Sequence, residues 1–189
     1  MKVTPVPHDL DLLASDLVRS PGLHMSQIYS SLFEKLEPSR YKSGGAINPL
    51  MAAVGTAWEK HLEYLMGKAG IQVFRPGELV TSEGIAYSPD GLLDNQTRLA
   101  EYKVAWWMSS TDMPRTPTSS FPPKLSKYVC QMQSYARSLE LSAARLYVLF
   151  IQGRGKDPEL LVYDIAFTAR ELQDNWDAMM NHARHQRLL

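Results

Sequence analysis

Cysteine is almost missing from this 189-residue chain: Cys130 stands alone, so no intrachain disulfide can form and no thiolate cluster can hold zinc. A reducing compartment, the cytoplasm, is the expected location. Long apolar runs are missing too. None approaches the ~20 residues needed to cross a bilayer, and the opening Met1-Lys2-Val3-Thr4-Pro5 lacks the apolar core of a secretory signal. No membrane partner is expected. Nor is there an excess of either charge, because 20 Lys+Arg balance 20 Asp+Glu. This balance excludes a uniformly basic DNA-coating protein and confines any nucleic-acid contact to a local patch. The five histidines, His8, His24, His61, His182 and His185, have no metal-ligand spacing. What is present, 44 % apolar and 21 % charged residues, belongs to an ordinary folded chain. Its length suits one domain that buries roughly two thirds of its unfolded surface.

No repeat period or long linker divides the chain. Leu10, Leu13 and Leu17 predict a helix over Asp9 to Val18, closed by the turn pair Pro21-Gly22. Ser26 then suits the cap of a second helix with Ile28, Leu32 and Leu36 on one side, stopped by Glu37-Pro38. These N-terminal helices span 9–37. After the flexible Ser43-Gly44-Gly45, a long helix starts near Asn48-Pro49 and carries Met51, Val54, Trp58, Leu62 and Leu65 to Gly70.

The period then changes. Ile71–Phe74, Ile85–Tyr87 and Arg98–Val104 read as strands, and the turn composition Asp94-Asn95-Gln96 joins the last two into a hairpin. Trp106 to Pro123 holds four prolines without periodicity and reads as a long loop, a candidate lid. Helical period resumes over Lys124 to Leu141, two strands follow over Arg145–Ile151 and Leu160–Phe167, and Thr168 with Glu171 caps a last amphipathic helix. A core of about 48–167 and a C-terminal helix of about 168–188 result.

Chemistry gathers at Ser88-Pro89-Asp90-Gly91 and Glu101-Tyr102-Lys103. Residues two apart on a strand share a face, so Glu101 and Lys103 project together while Tyr102 points away. A turn centred near Asn95-Gln96 sets Asp90 opposite Glu101. Two carboxylates and an ammonium then converge. Adjacent carboxylates need a proton or a cation between them, and hard oxygen ligands suit Mg²⁺ or Mn²⁺. Lys103 beside that ion can orient a water or neutralise charge growing on a phosphate. Phosphodiester hydrolysis is the matching reaction.

Pro89-Asp90 followed by Glu101-x-Lys103 resembles the signature of the PD-(D/E)xK nuclease superfamily. Gly55-x-x-x-Glu59 before it and Gln131-x-x-x-Tyr135 after it resemble the flanking motifs of the RecB and lambda-exonuclease branch, in the family's order. The resemblance implies a single α/β domain with a central mixed β-sheet flanked by helices, the restriction-endonuclease-like core. It implies Asp90 and Glu101 as metal ligands, the backbone carbonyl of Tyr102 completing the coordination, Lys103 assisting the nucleophilic water, and Glu59 as a further ligand. On one helix face, Gly55 would permit close backbone approach and Glu59 would reach over it. Gln131 and Tyr135 can orient Lys103, hold a water or meet a phosphate, and complete the catalytic set Asp90, Glu101, Lys103, Gln131 and Tyr135. Arg19 to Ser26 resembles the arginine, turn and serine that open phage-type exonucleases, with Arg19 and Ser26 toward a DNA phosphate. Expected are a Mg²⁺ or Mn²⁺ cofactor and DNA as substrate, with a homo-oligomer and a recombination partner protein left open.

The preferred activity is an exonuclease on linear DNA. Its rivals are a non-catalytic DNA-binding or assembly protein on the same scaffold, and an endonuclease or nickase. Other residues have blander readings: Cys130 as a buried thiol, Trp106-Trp107 as packing at a strand end, and the methionines as core filler. Gly153-Arg154-Gly155-Lys156 is too short for a nucleotide-binding loop, though it can touch a DNA backbone.

Overall fold

The computed structural model describes residues 20–39, 41, 49–106, 110–118, 120–153 and 157–189. The expected helix over Asp9 to Val18, Arg19, Ser43-Gly44-Gly45, Trp107 and Arg154-Gly155-Lys156 lie outside the described residues.

Helices α1 (Met25–Leu36) and α2 (Pro49–Lys68) come first, followed by strands β1 (Leu79–Val80), β2 (Ala86–Tyr87), β3 (Gly91–Leu93) and β4 (Arg98–Ala105). A 3₁₀ turn at Pro123–Leu125 leads into α3 (Ser126–Ser138), then β5 (Ala143–Phe150), β6 (Glu159–Ala166) and α4 (Ala169–His185). The main sheet has the order β3-β4-β5-β6, and β1 pairs with β2 in a small sheet of its own. β4 and β5 run parallel because α3 carries the chain back between them, whereas the tightly connected pairs β3–β4 and β5–β6 are antiparallel. The result is a single α/β domain with a mixed sheet flanked by helices, as the resemblance implies.

Alternation along β4 and β5 distributes side chains to two layers. Leu99, Leu146, Val148 and Phe150 join Ile28, Met132 and Met179 in the large core under α1, α3 and α4. Ala100, Tyr102 and Tyr147 point the other way, against Leu62 and Met66 of α2. Each fully buried leucine contributes about 1.5–3 kcal/mol relative to exposure. Glu101 sits among the apolar side chains of the first layer at 1 % exposure, which marks it at once as exceptional.

Several local expectations need correction. α1 begins at Met25 with His24 as its cap, and the His24 N–H donates to Gln27 Oε1 at 2.8 Å, so Ser26 lies inside the first turn. Its buried stripe is Met25, Ile28, Tyr29 and Phe33, and Leu36 is 63 % exposed. On α2 the buried positions are Leu62 and Met66, with Trp58 partly covered, while Val54 and Leu65 face out. That helix meets the narrow second layer along one i, i+4 row, so a wider stripe has nothing to cover.

Ile71–Phe74 forms no strand beyond a bridge from Phe74 to Leu92, and β1 falls in a stretch that had no strand pattern. The partner of β4 in the hairpin is β3, not Ile85–Tyr87. Asp94, Asn95 and Gln96 all take left-handed backbone angles, φ 51°, 56° and 69°, which turns the chain so tightly that Leu93 already pairs with Arg98. The long loop is no free lid in its described parts. Ser110 and Arg115 bond to Glu159 of β6, Met113 is buried, and Tyr163 donates to the Pro114 carbonyl at 3.2 Å. Thr168 and Glu171 do form the capping box of α4.

Candidate active site

The turn at Asp94–Gln96 sets the register of β3 on β4: Gly91 pairs with Ala100, Leu92 with Leu99 and Leu93 with Arg98. One rung further out Asp90 faces Glu101, the opposition the sequence predicts. Asp90 Oδ2 accepts the Tyr102 N–H at 2.7 Å and lies 3.7 Å from Lys103 Nζ. Lys103 Nζ reaches Glu101 Oε1 at 2.5 Å. Asp90–Gly91 is therefore the entry to a strand. A Cβ on Gly91 would stand 2.6 Å from Val73 Cγ1, so the residue after Asp90 must be glycine for β3 to lie this close.

From α3, Gln131 Nε2 donates to Tyr135 OH at 2.8 Å and approaches Glu101 Oε1 at 3.4 Å. Gln131 thus bridges the Tyr135 hydroxyl and the Glu101 carboxylate. Glu59 on α2 belongs to a second arrangement, in which Arg75 lies 3.6 Å from Glu59 Oε2 and 2.5 Å from Glu63 Oε1. Among the described residues, a Cβ added at Gly55 would meet nothing within 4 Å.

The electrostatics follow from burial and like charge. Burial, then the charge of Asp90, pushes the Glu101 carboxyl up to about 8, with Lys103 acting against both. Burial also raises Glu59, again with help from Asp90. For Lys103 burial works against the charge, but Glu101 and Asp90 outweigh it and hold the ammonium well above its ordinary value. A single proton or cation is what this group of acids calls for.

Glu101 Oε2 supplies the test of whether an ion fits. It is buried with no hydrogen-bond partner among the described residues, and a buried carboxylate oxygen without one is costly. A hard divalent cation would satisfy it, and the facing Asp90 carboxylate offers oxygen of the same kind. The donor set fits Mg²⁺ or Mn²⁺. Among the described residues, however, no three acidic, histidine or cysteine side chains close into a complete ligand cluster: Asp90 and Glu101 meet, and Glu59 stays on Arg75.

Ser26, Asp90, Lys103, Gln131 and Tyr135 line one cleft of about 230 Å³. Ser26 thus comes to the site from the first turn of α1. Arg19 lies outside the described residues, and Tyr102 contributes its N–H in the structure. Sequence reasoning missed Arg75, and also His24, Glu78 and Tyr87, which line the cleft together with Ala86 and Ser88. His24 Nδ1 stands 3.8 Å from Glu78 Oε2, a long-range contact that no local pattern announces. A larger groove of about 790 Å³ between α2 and the β3–β4 turn holds Glu63 but not the opposed acids. Cys130 is partly buried, with its thiol pushed up to about 11 by burial, as expected of an inert cysteine.

No family model and no curated relative matches the chain. Solved structures do. An alkaline exonuclease from Laribacter hongkongensis is 17 % identical with a TM-score of 0.55, covering 87 % of this chain and 87 % of its own. Its complex with dAMP gives 15 % identity, a TM-score of 0.54 and the same coverage. A phage-related exonuclease from Haemophilus somnus 129PT is 14 % identical with a TM-score of 0.53, covering 90 % of this chain and 94 % of its own. The chain shares the fold of these solved exonuclease structures.

Proposed function

We propose that this protein is a Mg²⁺- or Mn²⁺-dependent DNA nuclease that hydrolyses phosphodiester bonds, acting as an exonuclease on linear DNA. One observation carries the reading: two opposed carboxylates, Asp90 and Glu101, share the Lys103 ammonium, and Glu101 retains a buried oxygen without a partner among the described residues. The fold likeness to exonucleases supports the choice of substrate and of ends over internal sites.

Asp90 and Glu101 would hold the ion, with the Tyr102 carbonyl and Glu59 as further ligands once Glu59 leaves Arg75. A bound divalent ion supplies charge stabilisation on the phosphate oxygens and a more acidic water. Lys103, in contact with both carboxylates, would orient the attacking water or neutralise the charge that grows on the phosphate. Gln131, fixed by Tyr135, keeps the Glu101 carboxylate from rotating away. Ser26 and the positive end of α1 face the phosphate side of the cleft.

The test is digestion of end-labelled linear and closed circular DNA with Mg²⁺ or Mn²⁺. Nucleotide release from linear DNA alone supports the proposal. Cut circles would make it an endonuclease or nickase, and binding without any cleavage would make it a non-catalytic DNA-binding protein.

A further inference from the structure

Lys127 stands on α3 one helical turn before Gln131, and Ser30 stands on α1 one turn after Ser26. Gln131 and Ser26 both line the cleft, so Lys127 and Ser30 form a second rung about 6 Å along the same two helices. The Lys127 ammonium donates to Ser30 Oγ at 3.0 Å and lies 6.0 Å from the centre of the Tyr41 ring.

Its charge balance is unlike that of the neighbouring cations. Lys103 rests on Glu101 and Asp90, and Arg75 rests on Glu63 and Glu59. Lys127 has a hydroxyl and an aromatic face, and no ion-pair partner among the described residues. Burial and the charge of Lys103 both push its ammonium below the ordinary value. A clamp between α1 and α3 accounts for the hydrogen bond to Ser30, but a neutral amide could make that bond equally well. It leaves the positive charge unexplained, and a half-buried cation beside another cation is costly unless an anion joins them.

We propose that Lys127 binds a backbone phosphate of the nucleic-acid strand, next to the phosphate held in the cleft, and so positions the strand for cleavage. This inference rests on the nuclease reading and adds a positioning residue to it. The contact is to phosphate, so it is independent of base sequence and weakens with salt.

The experiment is fluorescence anisotropy of a labelled linear duplex across a salt series, with Ca²⁺ replacing Mg²⁺, alongside cleavage assays in Mg²⁺. Lys127→Gln keeps a donor for Ser30 and removes the charge. It is expected to weaken binding and to reduce the slope of log affinity against log salt by about one. Lys127→Arg should restore the slope, and Ser30→Ala, which breaks the clamp and keeps the charge, should leave it unchanged. A wild-type slope in Lys127→Gln, or a slope lost in Ser30→Ala, would overturn the inference while wild-type cleavage left the nuclease reading intact. If the wild-type protein neither binds nor cuts DNA, the nuclease reading fails and this inference with it.

Discussion

Asp90 Oδ2 accepts the backbone N–H of Tyr102 at 2.7 Å, so the acid that faces Glu101 also ties down the strand that carries Glu101 and Lys103. One carboxylate oxygen serves the β-ladder and the charge cluster together. This explains how two strands, one of only three residues, hold their polar groups in register at an edge where the ladder is ending. It also means that charge and shape at position 90 can be separated by choice of substitution.

Asp90→Asn keeps an oxygen for the Tyr102 N–H and removes the negative charge. Thermal stability should stay close to wild type, while nucleotide release falls by about a hundredfold or more, the scale of losing one preorganised electrostatic group. Asp90→Ala removes the acceptor as well, and losing a charge-assisted hydrogen bond costs about 1.5–3 kcal/mol. Chemical denaturation of the two variants beside an activity assay checks both statements. Equal destabilisation by Asn and Ala would contradict this account of the Tyr102 contact.

Glu101 makes stability depend on pH with a definite sign. Its carboxyl titrates near 4.5 when free and near about 8 in the fold, so between those values the folded state keeps a proton that the unfolded chain has lost. Stability should therefore fall as pH rises through that window and level off above it. Lys103 does not mask the trend, since its raised value keeps its own contribution intact until strongly alkaline pH. Glu101→Gln should flatten the slope and raise the melting temperature at pH 8 in metal-free buffer. Added Mg²⁺ or Mn²⁺ should raise the melting temperature of the wild-type protein at that pH and leave the variant unmoved. Scanning calorimetry from pH 5 to about 9 reads all three effects.

The opposition of Asp90 and Glu101 was legible because a tight turn and period-two alternation are local and together fix a register. The capping box at Thr168 was legible for the same reason. What could not be read is what distant chain segments do to one another. Arg75 follows the end of α2 in a stretch without periodicity, yet it captures Glu59 and Glu63 from that helix. The buried face of α1 depends on which elements cover it, and the rotation from Leu36 toward Tyr29 follows from the hydrogen bonds of Tyr29 with Ser134 of α3 and Asn175 of α4. The contact of Lys127 with Ser30 likewise depends on the packing of α1 against α3.

Gly91 is the position where a minimal change should damage the site from outside it. Its missing side chain leaves room for Val73, and a Cβ there would lie 2.6 Å from Val73 Cγ1 and 3.4 Å from Tyr102 OH. A branched side chain as short as valine cannot swing clear, so in Gly91→Ala strand β3 must lift off the segment that follows α2. Overpacking of this kind costs about 1–3 kcal/mol. Asp90 is the next residue along, and lifting β3 lengthens its contact with Tyr102 and draws it away from Lys103. Activity should therefore fall further than the stability loss alone accounts for. Val73→Ala removes the clashing methyl, so the double variant Val73→Ala/Gly91→Ala should recover stability and activity relative to Gly91→Ala. The double-mutant cycle should give a favourable interaction energy of about 0.5–3 kcal/mol. Additive losses would mean that Gly91 matters for its backbone freedom and not for the space beside Val73.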